Sequence, residues 1–239
     1  MTYTELFTAV KNYLQNDFPS NTWTNVAGTG VITSDGTDQI NTFIKQAEER
    51  IYNSVQIPPL RKNVTGATSS GNKYLSCPLD FMSVFSMAVI DAPDGYEYLL
   101  NKDVNFIREA YPNPNSTGLP RYYALFGPTV NTGVVTDELS FIFGPTPDAV
   151  YNVELHYYAY PESITVAADG RTWLSDNYSP VLLYGTMLEA YIFLKGETDM
   201  MAVYKGKYDE ALGQLNRLGT GLERGDAYRD GQAKIKVNP

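Results

Sequence analysis

Residues 150–160 read VYNVELHYYAY, and the alternation within them decides the fold. Val153, Leu155, Tyr157 and Ala159 share one face, and Asn152, Glu154, His156 and Tyr158 the other. A period of two is that of a strand with one face on a core. Two further runs upstream, 121–126 and 138–143, have the same β-favouring make-up. Pro145 and Pro147 fall between strands, where a missing N–H does no harm. Together these predict an antiparallel sheet.

Further upstream, β-favouring runs continue between turn signals. Residues 62–67 and 73–77 flank the turn Ser69-Ser70-Gly71-Asn72, and 84–91 reads as a buried strand before the turn Pro93-Asp94-Gly95. Residues 101–111 predict a short helix with Val104, Ile107 and Tyr111 inward, and 112–118 a loop. Asp137-Glu138 is read as a strand start after a Gly-Val-Val turn.

Outside this region the period changes to that of helices. Thr2 and Glu5 have the spacing of a capping box, and Leu6, Phe7, Val10, Tyr13 and Leu14 follow until Phe18-Pro19. Residues 20–36 read as a loop. Thr37 is the expected cap of a second helix, whose stripe is Ile40, Phe43, Ile44, Ala47 and Ile51. Pro58-Pro59 ends it. After Trp173, Ser175 or Asp176 can cap a helix with Pro180 in its first turn and a stripe of Leu183, Met187, Ala190, Tyr191 and Leu194. Gly196 breaks it, and a last helix from Thr198 carries Met201, Tyr204, Tyr208, Leu212, Leu215 and Leu218. Gly219, Gly221 and Gly225 are expected to loosen its end.

The expected class is therefore α+β: a helical bundle from the N- and C-terminal helices (1–60 and 172–225), an inserted antiparallel β-rich domain (61–171), and an extended C-terminal arm (226–239). No internal repeat and no low-complexity tract interrupt this order. The arm differs from the rest. Within residues 229–239, Arg229, Lys234 and Lys236 against Asp230 give a charge of +2 in a chain of net charge −9. Ile235 and Val237 alternate with the two lysines. Such a segment reads either as a frayed end or as an arm that adds to a neighbour's sheet or groove.

Composition limits the function. The chain has 239 residues, 27 Asp+Glu, 18 Lys+Arg, one His and one Cys, with 43% hydrophobic and 19% charged residues. This is a globular composition with ample length for a core. A single cysteine excludes a disulfide framework within the chain and a zinc site built on cysteine pairs. The acidic balance argues against duplex DNA as a ligand. No segment reads as a membrane helix, and MTYTELFTAV has neither the basic start nor the apolar run of a signal peptide.

Chemistry-bearing motifs are sparse. His156 lies mid-strand among tyrosines without a Ser or Cys motif, and reads as a structural histidine. Cys77, between Ser76 and Pro78, reads as a small buried side chain. Gly28-Thr29-Gly30 lacks the third glycine and the Lys-Ser/Thr of a phosphate cradle, and Gly219-Thr220-Gly221 follows a helix instead of opening one. Glu48-Glu49 and Asp209-Glu210 read as solvated helix faces, and Asp35-Gly36-Thr37-Asp38 as a helix start without the later Glu of a calcium loop. These readings assign no catalytic residue, no metal site and no cofactor. A hydrolase using two carboxylates would need a pair across a cleft, and nothing singles one out. The 19 tyrosines are the one marked excess. Tyr122, Tyr123, Tyr151, Tyr157, Tyr158 and Tyr160 cluster in the β-rich part, which suits subunit interfaces or a sugar-stacking module.

The order of several motifs carries a resemblance. Gly118-Leu119-Pro120-Arg121-Tyr122-Tyr123-Ala124-Leu125-Phe126-Gly127 precedes a strand ending Phe143-Gly144-Pro145-Thr146-Pro147. The Tyr-Tyr strand with Tyr160-Pro161-Glu162 follows, then Trp173-Leu174-Ser175. The helical run from Leu182 to Ala190 and the segment from Tyr204 to Leu212 complete the pattern, with Pro78-Leu79-Asp80-Phe81 and the helix carrying Ile40 to Ile51 before it. In this order the chain resembles the head-to-tail adaptors of short-tailed phages, the tail tubular A-like or head-completion proteins.

The resemblance implies a structural virion protein without a catalytic site, made in the host cytoplasm and located at the tail or neck. It implies a ring, usually of twelve copies, that joins the portal protein to the tail nozzle protein and leaves a channel for DNA. It also implies a C-terminal arm that enters the portal. Tyr228, Ile235 and Val237 are the matching anchors, and Arg229, Lys234 and Lys236 the charge complements. An acidic chain suits a channel in which DNA slides without sticking. The alternative function is a tyrosine-rich carbohydrate-binding module or adhesin.

Overall fold

The computed structural model describes residues 1–18, 21–24, 31–34, 36–91, 95–113, 115–127, 129–131, 134–137 and 139–222. The chain divides into two compact units. One comprises Met1–Pro59 and the chain from Pro161 onward; the other is Leu60–Tyr160.

The first unit is built on helices α1 (Tyr3–Leu14), α2 (Gly36–Ser54), α4 (Trp173–Asn177), α5 (Ser179–Phe193) and α6 (Thr198–Leu222). The Thr2 side chain accepts from the Glu5 N–H, and the Glu5 carboxylate accepts from the Thr2 N–H, so α1 starts in a complete capping box. All five residues of the expected α2 stripe are buried. Thr37, however, lies inside α2 and not at its cap, because the helix already begins at Gly36. The segment 20–36, expected to be a loop, contains an antiparallel hairpin of β1 (Asn21–Thr24) and β2 (Val31–Ser34). Its Thr-rich strands are short enough to be hidden in a turn-like composition.

The expected start after Trp173 also shifts. Thr172 caps α4 and makes a reciprocal box with Ser175, so Ser175 is the third helical residue and not the cap. A new helix, α5, then begins at Ser179 with Pro180 in its first turn. The stripe read for α5 is too narrow. Val181, Leu182, Gly185, Thr186 and Leu188 are buried together with Met187 and Ala190, because α1, α2, α4 and α6 all pack on this helix. In α6 the buried residues are Tyr208, Ala211, Leu215 and Gly219. The helix does not loosen at Gly219 or Gly221 but runs to Leu222. A Cβ on Gly219 would lie 2.4 Å from Cγ2 of Ile57, so glycine here permits close packing.

The second unit holds two four-stranded sheets. One has the order β3-β12-β5-β6: β3 (Arg61–Ala67), β12 (Asn152–Ala159), β5 (Phe81–Asp91) and β6 (Gly95–Tyr98), all antiparallel. The other has the order β4-β11-β8-β7: β4 (Tyr74–Ser76), β11 (Ser140–Gly144), β8 (Tyr122–Phe126) and β7 (Leu100–Asn101), with β7 parallel to β8. Val153, Leu155, Tyr157 and Ala159 of β12 face inward as their alternation predicts. They join Met87 and Val89 of β5 and Tyr123, Phe141 and Phe143 of the second sheet in one core. Burying such side chains stabilises by roughly 1.5–3 kcal/mol each.

Helix α3 (Val104–Ala110) covers the other face of the second sheet, with Ile107 packed on Ala124 and Ile142. Asp103 caps it through the Asn105 N–H, so it starts three residues later than the sequence suggested, after Leu100 and Asn101 have paired with β8. A Cβ at Gly144 would meet Ile107 and Tyr111 at 3.0 Å, which lets α3 approach β11 closely. Val134–Asp137, read as a turn and strand start, is itself a strand, β10, paired with β9 (Thr129–Asn131). Residues 93 and 94 of the expected turn lie outside the described residues, but the strands on either side of it pair with Asp91 opposite Gly95.

Candidate interaction surfaces

The tyrosines of the β-rich unit divide into core and surface. Tyr157 is 4% and Tyr158 7% exposed, and both side chains are engaged. The Tyr157 hydroxyl donates to Asp80 Oδ1 at 2.9 Å, and burial together with this hydrogen bond raises its pKa to about 12. The Tyr158 hydroxyl accepts from Arg61 Nη2 at 2.7 Å, and the Arg61 guanidinium lies 4.0 Å from the centre of the Phe85 ring. Tyr123 is buried, and Tyr122 packs edge-on against Phe106. The strand's tyrosines therefore build the fold, and Tyr157 and Tyr158 offer no ring face to a sugar.

Other apolar groups are exposed instead. On β6, Tyr96 and Tyr98 stack with ring centres 6.3 Å apart while 53% and 68% exposed. Their register partners on β5 are Ile90 and Ala88. In the same unit, Leu79 is fully exposed and Phe85 half-exposed. In the helical unit, Ile192 and Phe193 at the end of α5 and Met200 and Val203 on α6 are exposed. Nothing in the periodicity singled these out, since an exposed apolar residue looks like a core one in sequence.

His156 stands on the outer face of β12, with Asn63 and Ser86 as register neighbours. Its Nε2 lies 3.4 Å from Glu154 Oε1, and the same oxygen accepts from Asn63 Nδ2 at 2.9 Å. The Asn63 hydrogen bond holds Glu154 below the usual carboxylate range. Cys77 packs partly buried against the shared core. Among the described residues, no group of three or more His, Cys, Asp or Glu side chains is placed to hold a metal ion, and no helix is long and apolar enough to cross a membrane.

Buried charge lies in the helical unit. Glu48 is 3% exposed, and its Oε1 accepts the Ile164 N–H at 3.0 Å. Burial pushes its carboxyl above the usual range against the opposing hydrogen bond. Glu189 of α5 forms an ion pair with Arg50 of α2.

Beside α3 in the β-rich unit lies a cavity of about 330 Å³. Lys73, Arg108 and Thr146 line it with the apolar Ile107, Ile142 and Phe143 and with Tyr111 and Pro112. Sequence reading missed it because its residues come from three separated segments, 73, 107–112 and 142–146. The arm residues Tyr228, Arg229, Lys234, Ile235, Lys236 and Val237 lie outside the described residues, as do Gly28, Gly30 and Gly225.

A family model described as SU10 adaptor protein matches residues 1–233. No curated protein matches the chain.

Proposed function

Because the chain belongs to the SU10 adaptor protein family, which makes it a phage structural adaptor of the virion neck or tail, we propose that it forms a ring joining the portal to the tail nozzle. In this reading DNA passes through the lumen without sequence-specific binding, the ring holds twelve copies, and residues 226–239 form an arm that enters the portal. The match along residues 1–233 carries the reading, since it spans both compact units.

Physical arguments support it. A ring subunit needs two different side faces that complement each other and close by rotation. Exposed aromatic and aliphatic side chains on both units, such as Tyr96, Tyr98, Phe193 and Met200, are of the kind that subunit contacts bury. A net charge of −9 opposes tight phosphate binding and favours sliding DNA.

Co-sedimentation of the protein with its cognate portal tests the proposal. Saturable binding at a fixed ratio of subunits is the expected result. A protein that never binds portal, at any salt or concentration, overturns it. Of the six tyrosines that suggested a sugar-stacking module, Tyr123, Tyr157 and Tyr158 are buried in the core.

A further inference from the structure

The cavity beside α3 combines features that point to a ligand class. Lys73 and Arg108 both line it, and neither makes an ion pair among the described residues. Elsewhere in the same unit Lys62 is held by Asp80 at 2.5 Å, so pairing is available in this acidic chain and these two cations lack it. Each lies over an aromatic ring: Lys73 Nζ is 5.4 Å from the centre of Tyr74, and the Arg108 guanidinium 5.5 Å from that of Phe126. Such contacts favour a cation without neutralising it. Ile107, Ile142, Phe143 and Pro112 make most of the remaining lining apolar, and Tyr111 and Thr146 complete it.

We propose that this cavity is a docking site for an acidic segment of a partner protein, one carboxylate meeting Lys73 and Arg108 and an adjoining apolar side chain meeting Tyr111 and Pro112. A planar guanidinium can hold a carboxylate through two parallel hydrogen bonds, and the ammonium adds a second positive charge. A nucleic-acid phosphate is the other anion of the right charge. The apolar lining and the net charge of −9 disfavour it, because a DNA strand brings many further charges close to an acidic chain.

The test uses the full-length protein, isotope-labelled for NMR and titrated with the peptide acetyl-Ala-Glu-Phe-Glu-Ala-amide. Controls are the peptide with Gln in place of both Glu and a ten-residue thymidine oligonucleotide. Saturable shifts centred on Lys73, Arg108, Tyr111 and Thr146 are expected. The Gln peptide, and the Arg108→Gln and Lys73→Gln proteins, should each bind about five-fold more weakly or worse. Both lysine and arginine are surface-reaching, and unchanged spectra elsewhere report that the variants fold. Equal affinity for the Glu and Gln peptides, shifts away from the cavity, or no saturable shift overturns the proposal. Binding of the oligonucleotide more tightly than the acidic peptide overturns it in favour of a phosphate site.

Discussion

Glu48 on α2 holds the Ile164 N–H at 3.0 Å across a sequence separation of 116 residues. The bond fastens the chain returning from the β-rich unit to the second helix. A carboxyl with a raised folded pKa gives up its proton first in the unfolded chain. Stability is therefore full below the ordinary value of 4.5 and falls as pH rises through the higher folded value. Glu48→Gln keeps an acceptor for Ile164 and removes this loss. The variant is expected to be at least as stable as the parent at pH 7 and to show a flatter stability profile above pH 4.5 in urea unfolding. Glu48→Ala removes the acceptor and should cost about 1–3 kcal/mol at any pH.

Gly219 faces Ile57, and a methyl group there would lie 2.4 Å from Cγ2 of a buried side chain. Gly219→Ala is expected to destabilise by about 1–3 kcal/mol although alanine is the better helix former. Gly213 sits in the same helix with open space around its Cβ position. Gly213→Ala should stabilise by about 0.5–1 kcal/mol. Thermal unfolding of the two variants side by side separates packing from propensity; equal shifts of one sign would refute the assignment.

These two glycines also mark what the sequence could and could not tell. The α2 stripe, the Thr2–Glu5 box and the inward face of β12 were legible because period and spacing act locally. Gly219 looked like a helix breaker, since its partner Ile57 is 162 residues away and no local rule links them. The hairpin at 21–34 escaped because Thr and Asn serve both short strands and loops. Leu183 and Tyr191 were assigned to one stripe when α5 is packed on several sides. The tyrosine excess suggested a surface; the partners of Tyr157 and Tyr158, Asp80 and Arg61, lie 77 and 97 residues away and turn both rings into core. The cavity beside α3 was invisible for the same reason.

Asp80 accepts from Tyr157 at 2.9 Å and from Lys62 at 2.5 Å. Burial pushes its carboxyl up, but these two hydrogen bonds outweigh burial and hold it below the ordinary value of 3.8. The sign is opposite to that of Glu48. The stabilisation is present above pH 3.8 and is lost as pH falls through the lower folded value. Asp80→Asn is expected to cost about 1 kcal/mol at pH 7 and to weaken the loss of stability on acidification. A variant whose acid unfolding matches that of the parent would show that the carboxylate contributes nothing.

The arm gives a functional prediction. Deleting residues 227–239 should leave the unfolding midpoint unchanged and abolish attachment to the portal. The charge-reversal variant carrying Lys234→Glu and Lys236→Glu should weaken attachment without affecting the fold. Normal attachment of the truncated protein, measured by co-sedimentation, would show that the end of the chain has no docking role.

Electron microscopy of the full-length protein mixed with its cognate portal tests the central claim most directly. The expected image is a portal ring extended on one face by a second closed ring of subunits around an open channel. Portal particles that remain bare while the added protein stays monomeric at every concentration would contradict it.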